Sequence, residues 1–237
     1  MTDVYTREYR LRSTDVDMYR RLRLSTMFVM LQEASIAHTE QLGMGRDKTL
    51  DRGLLWVVTH YAARIARLPE YDEEITLSSW PGNTMHVLFP RFYRLTDAAG
   101  APLVEVSALW ALMDGHTRAF AFPEDHGIVI GGVVTGNEIP LPRPPRTPEP
   151  EAVREYTPPY SCVDLNGHMN NTRYFDLAED LMPAELRARP LREIAAEFAG
   201  ELRLGDPARL LLRRDGAEFH LAGENEKRLF RICLRYE

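Results

Sequence analysis

Residues 160–175 read Tyr160-Ser161-Cys162-Val163-Asp164-Leu165-Asn166-Gly167-His168-Met169-Asn170-Asn171-Thr172-Arg173-Tyr174-Phe175, the most informative stretch of the chain. Asp164, Asn166 and His168 fall at i, i+2 and i+4. In an extended segment their side chains share one face. Behind them, Asn171 or Thr172 is placed to cap a helix that runs through Tyr174, Phe175, Leu177, Ala178 and Leu181. A carboxylate, an amide and an imidazole then stand beside the unpaired N–H groups of a helix start. Such a set is able to hold a developing oxyanion and activate a water. Asn-Gly and Asn-Asn are also ordinary turn chemistry, but a turn alone does not call for Asp and His two residues either side of Asn.

A chain of 237 residues suits two packed half-domains of ~100 residues each. The hydrophobic share of 44% is ample for a core, and 27% charged residues belong to a soluble globular protein. With 29 Lys plus Arg against 35 Asp plus Glu the net charge is −6, and nothing points to non-specific nucleic-acid binding. No apolar run approaches the ~20 residues that a bilayer span needs. The opening Met1-Thr2-Asp3-Val4-Tyr5-Thr6-Arg7-Glu8 has neither an apolar signal region nor a transit-peptide composition. Cys162 and Cys233 make neither a metal spacing nor a disulfide framework. His38, His60, His86, His116, His126 and His220 likewise have no metal-ligand spacing. The expectation is a cytoplasmic protein with no metal and no other cofactor.

The chain contains a pseudo-repeat. Asp15-Val16-Asp17-Met18-Tyr19 precedes a helix beginning near Ser25, as Asp164-Leu165-Asn166-Gly167-His168 precedes one beginning near Asn171. Pairing Asp15 with Asp164 sets the offset at 149 residues, and duplication of a one-helix, multi-strand unit accounts for it. Residues 140–150 carry Pro140, Pro142, Pro144, Pro145, Pro148 and Pro150, a semi-rigid, extended linker. The expected units are therefore 1–139 and 151–237, with the linker between them. The first helix, over 25–42, spaces Met27, Met30, Leu31, Ala34, Ala37 and Gln41 helically and stops at Gly43. Strands follow at 54–65, 75–80, 87–95 and 103–113, then Asp114-Gly115 as a hairpin signal. The second half repeats the order with a helix over 171–182. Its strands lie near 193–202, 208–213, 217–221 and 229–236, with a hairpin signal at Asp215-Gly216. A helix followed by an antiparallel meander, twice over, is an α+β arrangement.

Asp164-Leu165-Asn166-Gly167-His168-Met169-Asn170-Asn171-Thr172-Arg173-Tyr174 resembles the catalytic motif of the fatty acyl-ACP thioesterases of bacteria and plant plastids. The likeness runs from Leu11-Arg12-Ser13-Thr14-Asp15 to the end of the chain. It implies a double hot-dog fold, each sheet wrapping its helix, and hydrolysis of the thioester between a fatty acyl chain and acyl carrier protein. It also implies catalysis by Asp164, Asn166, His168 and a glutamate on the strand after the helix. The family's pair of glutamates four residues apart matches Glu197-Phe198-Ala199-Gly200-Glu201, with Glu201 in the catalytic place. Glu197 shares its strand face and is the alternative. In plant relatives a cysteine follows that glutamate; here the position is Leu202, which argues against a cysteine nucleophile.

Thioester hydrolysis needs an attacking water, a base or nucleophile, and donors for the carbonyl oxygen. Asp164 is the strong acid of the motif and the candidate base or nucleophile. Asn166 suits either the thioester carbonyl or the Asp carboxylate, and His168 suits carboxylate, oxyanion or leaving thiol. Cys162, two residues before Asp164, is a rival nucleophile, though free cysteine is more often a small buried hydrophobe. The first-half copy, Asp15, Asp17 and Tyr19, lacks amide and imidazole and reads as a structural remnant. The resemblance gives the acyl chain to the first unit, so Met27, Phe28, Met30, Leu31, Trp56, Val58 and Trp80 are candidates to line its tunnel; ordinary core is the competing reading. Acyl carrier protein is strongly acidic, so a chain of charge −6 has to offer it a local basic patch. Arg20, Arg21 and Arg23 are the first choice, with Arg187, Arg189 and Arg192 or Arg143 and Arg146 as others. A homodimer through an edge strand is the favoured assembly. The alternatives are a hot-dog hydratase, an acyl-CoA thioesterase and a non-catalytic acyl-binding sensor. The hydratase is disfavoured because Asp164 and His168 are separated by three residues, where such enzymes use four.

Overall fold

The computed structural model describes residues 3–136 and 139–237. The chain runs β1 (Tyr5–Arg10), α1 (Leu24–Gln41), β2 (Leu54–Ile65), β3 (Glu74–Pro81), β4 (Leu88–Asp97) and β5 (Pro102–Asp114). It continues with β6 (Ala152–Tyr156), α2 (Arg173–Leu181), α3 (Ala184–Arg187), β7 (Leu191–Phe198), β8 (Ala208–Asp215), β9 (Glu218–Glu224) and β10 (Arg228–Tyr236). All ten strands form one antiparallel sheet in the order β1-β3-β4-β5-β2-β7-β10-β9-β8-β6. Read outward from the β2–β7 seam, the two halves have the same order, so β2 matches β7, β5 matches β10, and β1 matches β6. Each half carries its own helix, which is the double hot-dog arrangement.

Strands with alternating apolar residues were readable from sequence; the two outer ones were not. β1 (Tyr-Thr-Arg-Glu-Tyr-Arg) and β6 (Ala-Val-Arg-Glu-Tyr) are edge strands with few buried positions. Charged side chains are how an edge is kept from pairing with another chain, and they also erase the apolar signal. Both hairpin signals turn the chain. Asp215-Gly216 joins β8 to β9. At Asp114-Gly115 the Asp carboxylate accepts the N–H groups of His116 and Thr117, and the chain folds back on β5 for a single bridge between Met113 and Phe120 instead of a full strand. Gly43 ends α1 in the left-handed region (φ +70°), and its N–H donates to the Glu40 carbonyl. Residues 140–150 have no regular structure, yet they are pinned. Arg146 bonds Asp215 and Glu218, and Thr147 accepts from Arg231.

Several contacts join the units. Across the seam His60 to Arg64 pair with Glu197 to Glu193. Phe28 of α1 stacks on Phe175 of α2, with ring centroids 3.9 Å apart. A third link is Arg21, which pairs with Asp17 at 3.0 Å and donates to the carbonyls of Arg187 and Arg189. Glu179 of α2 belongs to the same electrostatic neighbourhood. Burial, and then the charges of Asp176 and Asp17, raise its pKa to about 7. Its pKa is higher folded than unfolded, so the unfolded chain ionises first as pH rises. Stability is therefore lost between about pH 4.5 and 7 and stays lost above. By linkage the loss is on the order of 3 kcal/mol. In urea unfolding at pH 5 and pH 8, Glu179→Gln should gain on the wild type as pH rises. A difference between the two that does not change with pH would refute the assignment.

Candidate active site

Asp164, Asn166 and His168 do not lie along an extended segment; they form a tight turn. The Asp164 N–H donates to the His168 carbonyl (3.0 Å), and the Gly167 N–H donates to the Asp164 carbonyl (3.0 Å). Gly167 takes φ +79°, a conformation that suits glycine. The signal was the Asn-Gly pair, which the alternating polar pattern outweighed. The turn holds the carboxylate twice: Oδ1 accepts the Asn166 N–H at 2.8 Å and Oδ2 accepts Asn170 Nδ2 at 3.0 Å. The amide that grips Asp164 is thus Asn170, and the Asn166 side chain is left to the cavity it lines.

Asn170 also organises the helix start in place of Asn171 or Thr172. Its Oδ1 accepts from the Thr172 N–H (3.0 Å) and hydroxyl (2.8 Å), and its carbonyl accepts from the Arg173 N–H. Those amides are satisfied by protein, so they are not the unpaired donors that the sequence suggested. α2 begins at Arg173.

Behind the turn, the Met169 N–H donates to the Leu202 carbonyl at 2.7 Å. This contact brings Glu201 to His168, with Oε1 3.7 Å from Nε2. β7 ends at Phe198, so Glu201 lies just past the strand rather than on it, and it does not share a face with Glu197. Glu197 is spent elsewhere, 2.6 Å from Arg231 and 3.6 Å from His60. Arg118, from the first unit, stands 3.1 Å from Glu201 Oε1. Its Nη1 makes no well-aligned hydrogen bond, so this contact is Coulombic. Arg118 had no local sequence signal; it arrives through the turn after β5 with φ +59°.

The turn faces a cavity of about 370 Å³ whose other walls come from the first unit. β2 explains the opening. β7 pairs with it only from His60 onward, after a bulge between Val58 and His60. Among the described residues, no strand pairs with the seam edge of Leu54 to Val58, and all five consecutive residues line the cavity. Trp56 and Val58 are therefore on the wall. Met27, Met30, Leu31 and Trp80 are not among the lining residues; they are buried in packing. α1 turns a different stripe to the cavity, Gln32, Ser35, Ile36, Thr39 and Glu40. The second unit has no comparable space, because Tyr174, Phe198 and Phe230 fill it with ring contacts of 4.4 to 5.6 Å. Cys162 packs against the core and is not on the cavity wall.

Hydrogen bonds align the two units at an offset of 147 residues rather than 149. Asp15 N–H to Arg12 carbonyl matches Cys162 to Pro159, and Arg23 N–H to Asp15 carbonyl matches Asn170 to Cys162. Leu22 N–H to Pro69 carbonyl matches Met169 to Leu202. Asp17 is thus the counterpart of Asp164, and its carboxylate takes the Tyr19 N–H at 2.9 Å just as Asp164 takes that of Asn166. At the remaining polar positions the first unit has Tyr19 for Asn166, Arg21 for His168, Arg23 for Asn170 and Leu68 for Glu201. Arg21 neutralises Asp17 directly. The turn is kept and its amide and imidazole are gone.

The proposed carrier contacts divide. Arg20 and Arg23 are exposed, whereas Arg21 is engaged within the protein. All three belong to the Asp17 turn, not to the Asp164 turn. As for metals, Glu218, His220 and Cys233 bring ligand atoms within 4.8 Å of one another. Arg146 and Arg235 each approach Glu218 to 2.8 Å and already compensate its charge. No helix of the described residues is long and apolar enough to cross a membrane.

A double hot dog with one apolar chamber, closed by a polar turn from the other unit, defines the class. The chain matches the acyl-ACP thioesterase N-terminal domain over residues 2–125 and the acyl-ACP thioesterase C-terminal domain over residues 146–230. It belongs to the acyl-ACP thioesterase family. A palmitoyl-acyl carrier protein thioesterase (chloroplastic) of Cuphea hookeriana is 22% identical over 214 residues, 84% of this chain and 52% of that protein. The chain spans about half the length of the curated relatives it matches. Two solved structures have the same fold over nearly their whole lengths. An acyl-ACP thioesterase from Bacteroides thetaiotaomicron has TM-score 0.84 and 23% identity, covering 99% of this chain and 98% of its own. The 12:0-ACP thioesterase from Umbellularia californica has TM-score 0.83 and 20% identity, covering 100% and 98%.

Proposed function

We propose that this chain hydrolyses acyl-ACP thioesters to a free fatty acid and the carrier thiol. The observation that carries this reading is that Asp164, Asn166 and His168 line the apolar cavity whose other walls come from the first unit. The acyl chain occupies the cavity, and the thioester carbonyl meets the turn. Asp164, held by two donors, accepts a proton from water as the water oxygen adds to the carbonyl carbon. The Asn166 amide donates to the oxygen that becomes negative. As the C–S bond breaks, His168 passes on to the sulfur the proton that Asp164 took from water, with Glu201 and Arg118 behind it to fix its orientation. Of the cations near the turn, Arg46 lines the cavity and Arg203 lies 3.7 Å from Glu201 with its side chain mostly exposed. We place the acidic carrier there rather than on Arg20–Arg23.

Thiol release from a chain-length series of acyl-ACPs, measured beside the matching acyl-CoAs, tests the reading. The expected result is a strong preference for the protein carrier. Equal or faster turnover of the CoA series would keep the chemistry and discard the carrier. Acyl binding without release from either would make the chain a binding module.

A further inference from the structure

Two charged groups on the cavity wall are not used by this chemistry: Glu40, which is exposed and accepts the Arg46 N–H, and Arg91, which is buried. Arg91 lies on β4, two strands from β2 in the order β4-β5-β2. At ~4.8 Å per strand this is ~10 Å across the sheet from the open β2 edge. It lines the cavity and is only 5% exposed. Nη1 donates to His38 Nδ1 (3.1 Å) and Ser79 Oγ (3.2 Å), and Nη2 donates to Thr39 Oγ1 (3.2 Å). All three partners are neutral acceptors. No carboxylate of the described residues lies within ion-pair distance of it. A guanidinium has five N–H bonds, and two of these make no hydrogen bond to a described residue. Burial pulls its pKa down from the ordinary value, against a smaller upward pull from Tyr93.

Part of this arrangement has a structural explanation. His38 and Thr39 lie in the last turn of α1, where a cation complements the helix dipole. Packing of this kind accounts for an arginine at the position, but not for its place on the wall of a chamber built for hydrocarbon. An alkyl chain that reaches Arg91 strips the guanidinium of water and offers no acceptor in return, which is unfavourable for a buried charge. A carboxylate at the same place supplies both the missing charge and the missing acceptors, in the fork geometry that guanidinium favours.

We propose that Arg91 makes this cavity a binding site for acyl chains whose far end carries a carboxylate. The proposal rests on the thioesterase reading and names its substrate class: ω-carboxyacyl thioesters long enough to reach β4. Methyl-ended chains have to stop short of Arg91.

The test compares suberoyl-ACP with octanoyl-ACP and sebacoyl-ACP with decanoyl-ACP, in wild type, Arg91→Met and Arg91→Gln. Wild type should favour the ω-carboxy member of one or both pairs by at least tenfold in kcat/KM. Arg91→Met should lose that preference and at the same time gain on decanoyl-ACP, two changes of opposite sign that misfolding does not produce. Arg91→Gln, which keeps donors without the charge, should fall between. Butyryl-ACP, too short to reach Arg91, reports in the wild type on the thioesterase reading by itself. A wild type that prefers the methyl-ended partner in both pairs, or an Arg91→Met variant that slows both series equally, would overturn the proposal. If no acyl-ACP of any length tried is hydrolysed, the thioesterase reading fails. Binding of monomethyl suberate against methyl octanoate then decides the Arg91 proposal, and equal affinity would reject it.

Discussion

Asp164→Asn should hydrolyse an acyl thioester at least ~10²-fold more slowly than wild type, the usual scale for a positioned base, while melting within a few degrees of it. The substitution suits the geometry. Asparagine is a good residue for this turn, and its Oδ1 still accepts the Asn166 N–H that Asp164 Oδ1 accepts at 2.8 Å. The remaining conflict is with Asn170, whose Nδ2 now faces either an amide or a poorer acceptor. Asn170 is unable to flip freely because its Oδ1 already holds the N–H and hydroxyl of Thr172. That mismatch costs about 1 kcal/mol, too little to unfold the chain. What is lost is the negative charge at the cavity end. The first unit supplies the control. Asp17→Asn alters the matching turn and deprives Arg21 of its anion, so it should lower stability and leave turnover per folded molecule within about twofold. Both are read by thiol release alongside a melting curve. If Asp164→Asn kept more than a tenth of the wild-type rate, the base would have to be sought in the His168–Glu201 pair instead.

The comparison of the two turns shows where sequence reasoning reached and where it stopped. The three polar residues were legible as a set because their types and spacing are unusual together. Their geometry was not legible, since a period of two fits a strand and a turn alike, and only Gly167 distinguishes them. Glu201 could be named through the resemblance, but its position beside His168 depends on the Met169–Leu202 hydrogen bond, a contact between segments some thirty residues apart. Arg118 comes from the other unit and had no signal at all. The repeat was visible, yet the sequence paired Asp15 with Asp164, and the hydrogen bonds of the two turns select Asp17 instead. The tunnel candidates on α1 lie off the cavity wall for a physical reason. Helical periodicity finds the most apolar stripe of α1, and that stripe packs into the core. The cavity takes a mixed stripe with Gln32, Ser35 and Thr39, which by pattern is indistinguishable from a half-exposed face. The central strands were read well because burial on alternate positions leaves a strong signal, and edge strands β1 and β6 escaped because charge is what protects an edge.

Phe28→Ala should destabilise the whole chain by roughly 3–5 kcal/mol, the range for truncating a buried aromatic. Phe28 is completely buried. It lies nearly parallel to Phe175 at 7° and 3.9 Å, and tilted against Tyr61 at 4.6 Å. One ring therefore touches the second unit's helix and the seam strand of its own unit. Removing it leaves a void at the junction that neither helix is free to close, because β2 and β7 are fixed by five paired residues on the sheet side. Phe175→Ala should cost a similar amount. The double variant should cost clearly less than the sum, since both single changes abolish the same contact. The pattern of unfolding matters as much as its size. If the units form one cooperative body, near-ultraviolet and far-ultraviolet signals of Phe28→Ala should still fall at one denaturant concentration, lower than wild type. Two separate transitions, or a loss below about 1 kcal/mol, would mean that each hot dog stands alone and that the aromatic stack is incidental. The first outcome also bears on activity. A cavity built by one unit and closed by a turn of the other has a defined shape only while the two are held in register, and Phe28 is the residue through which both helices feel each other.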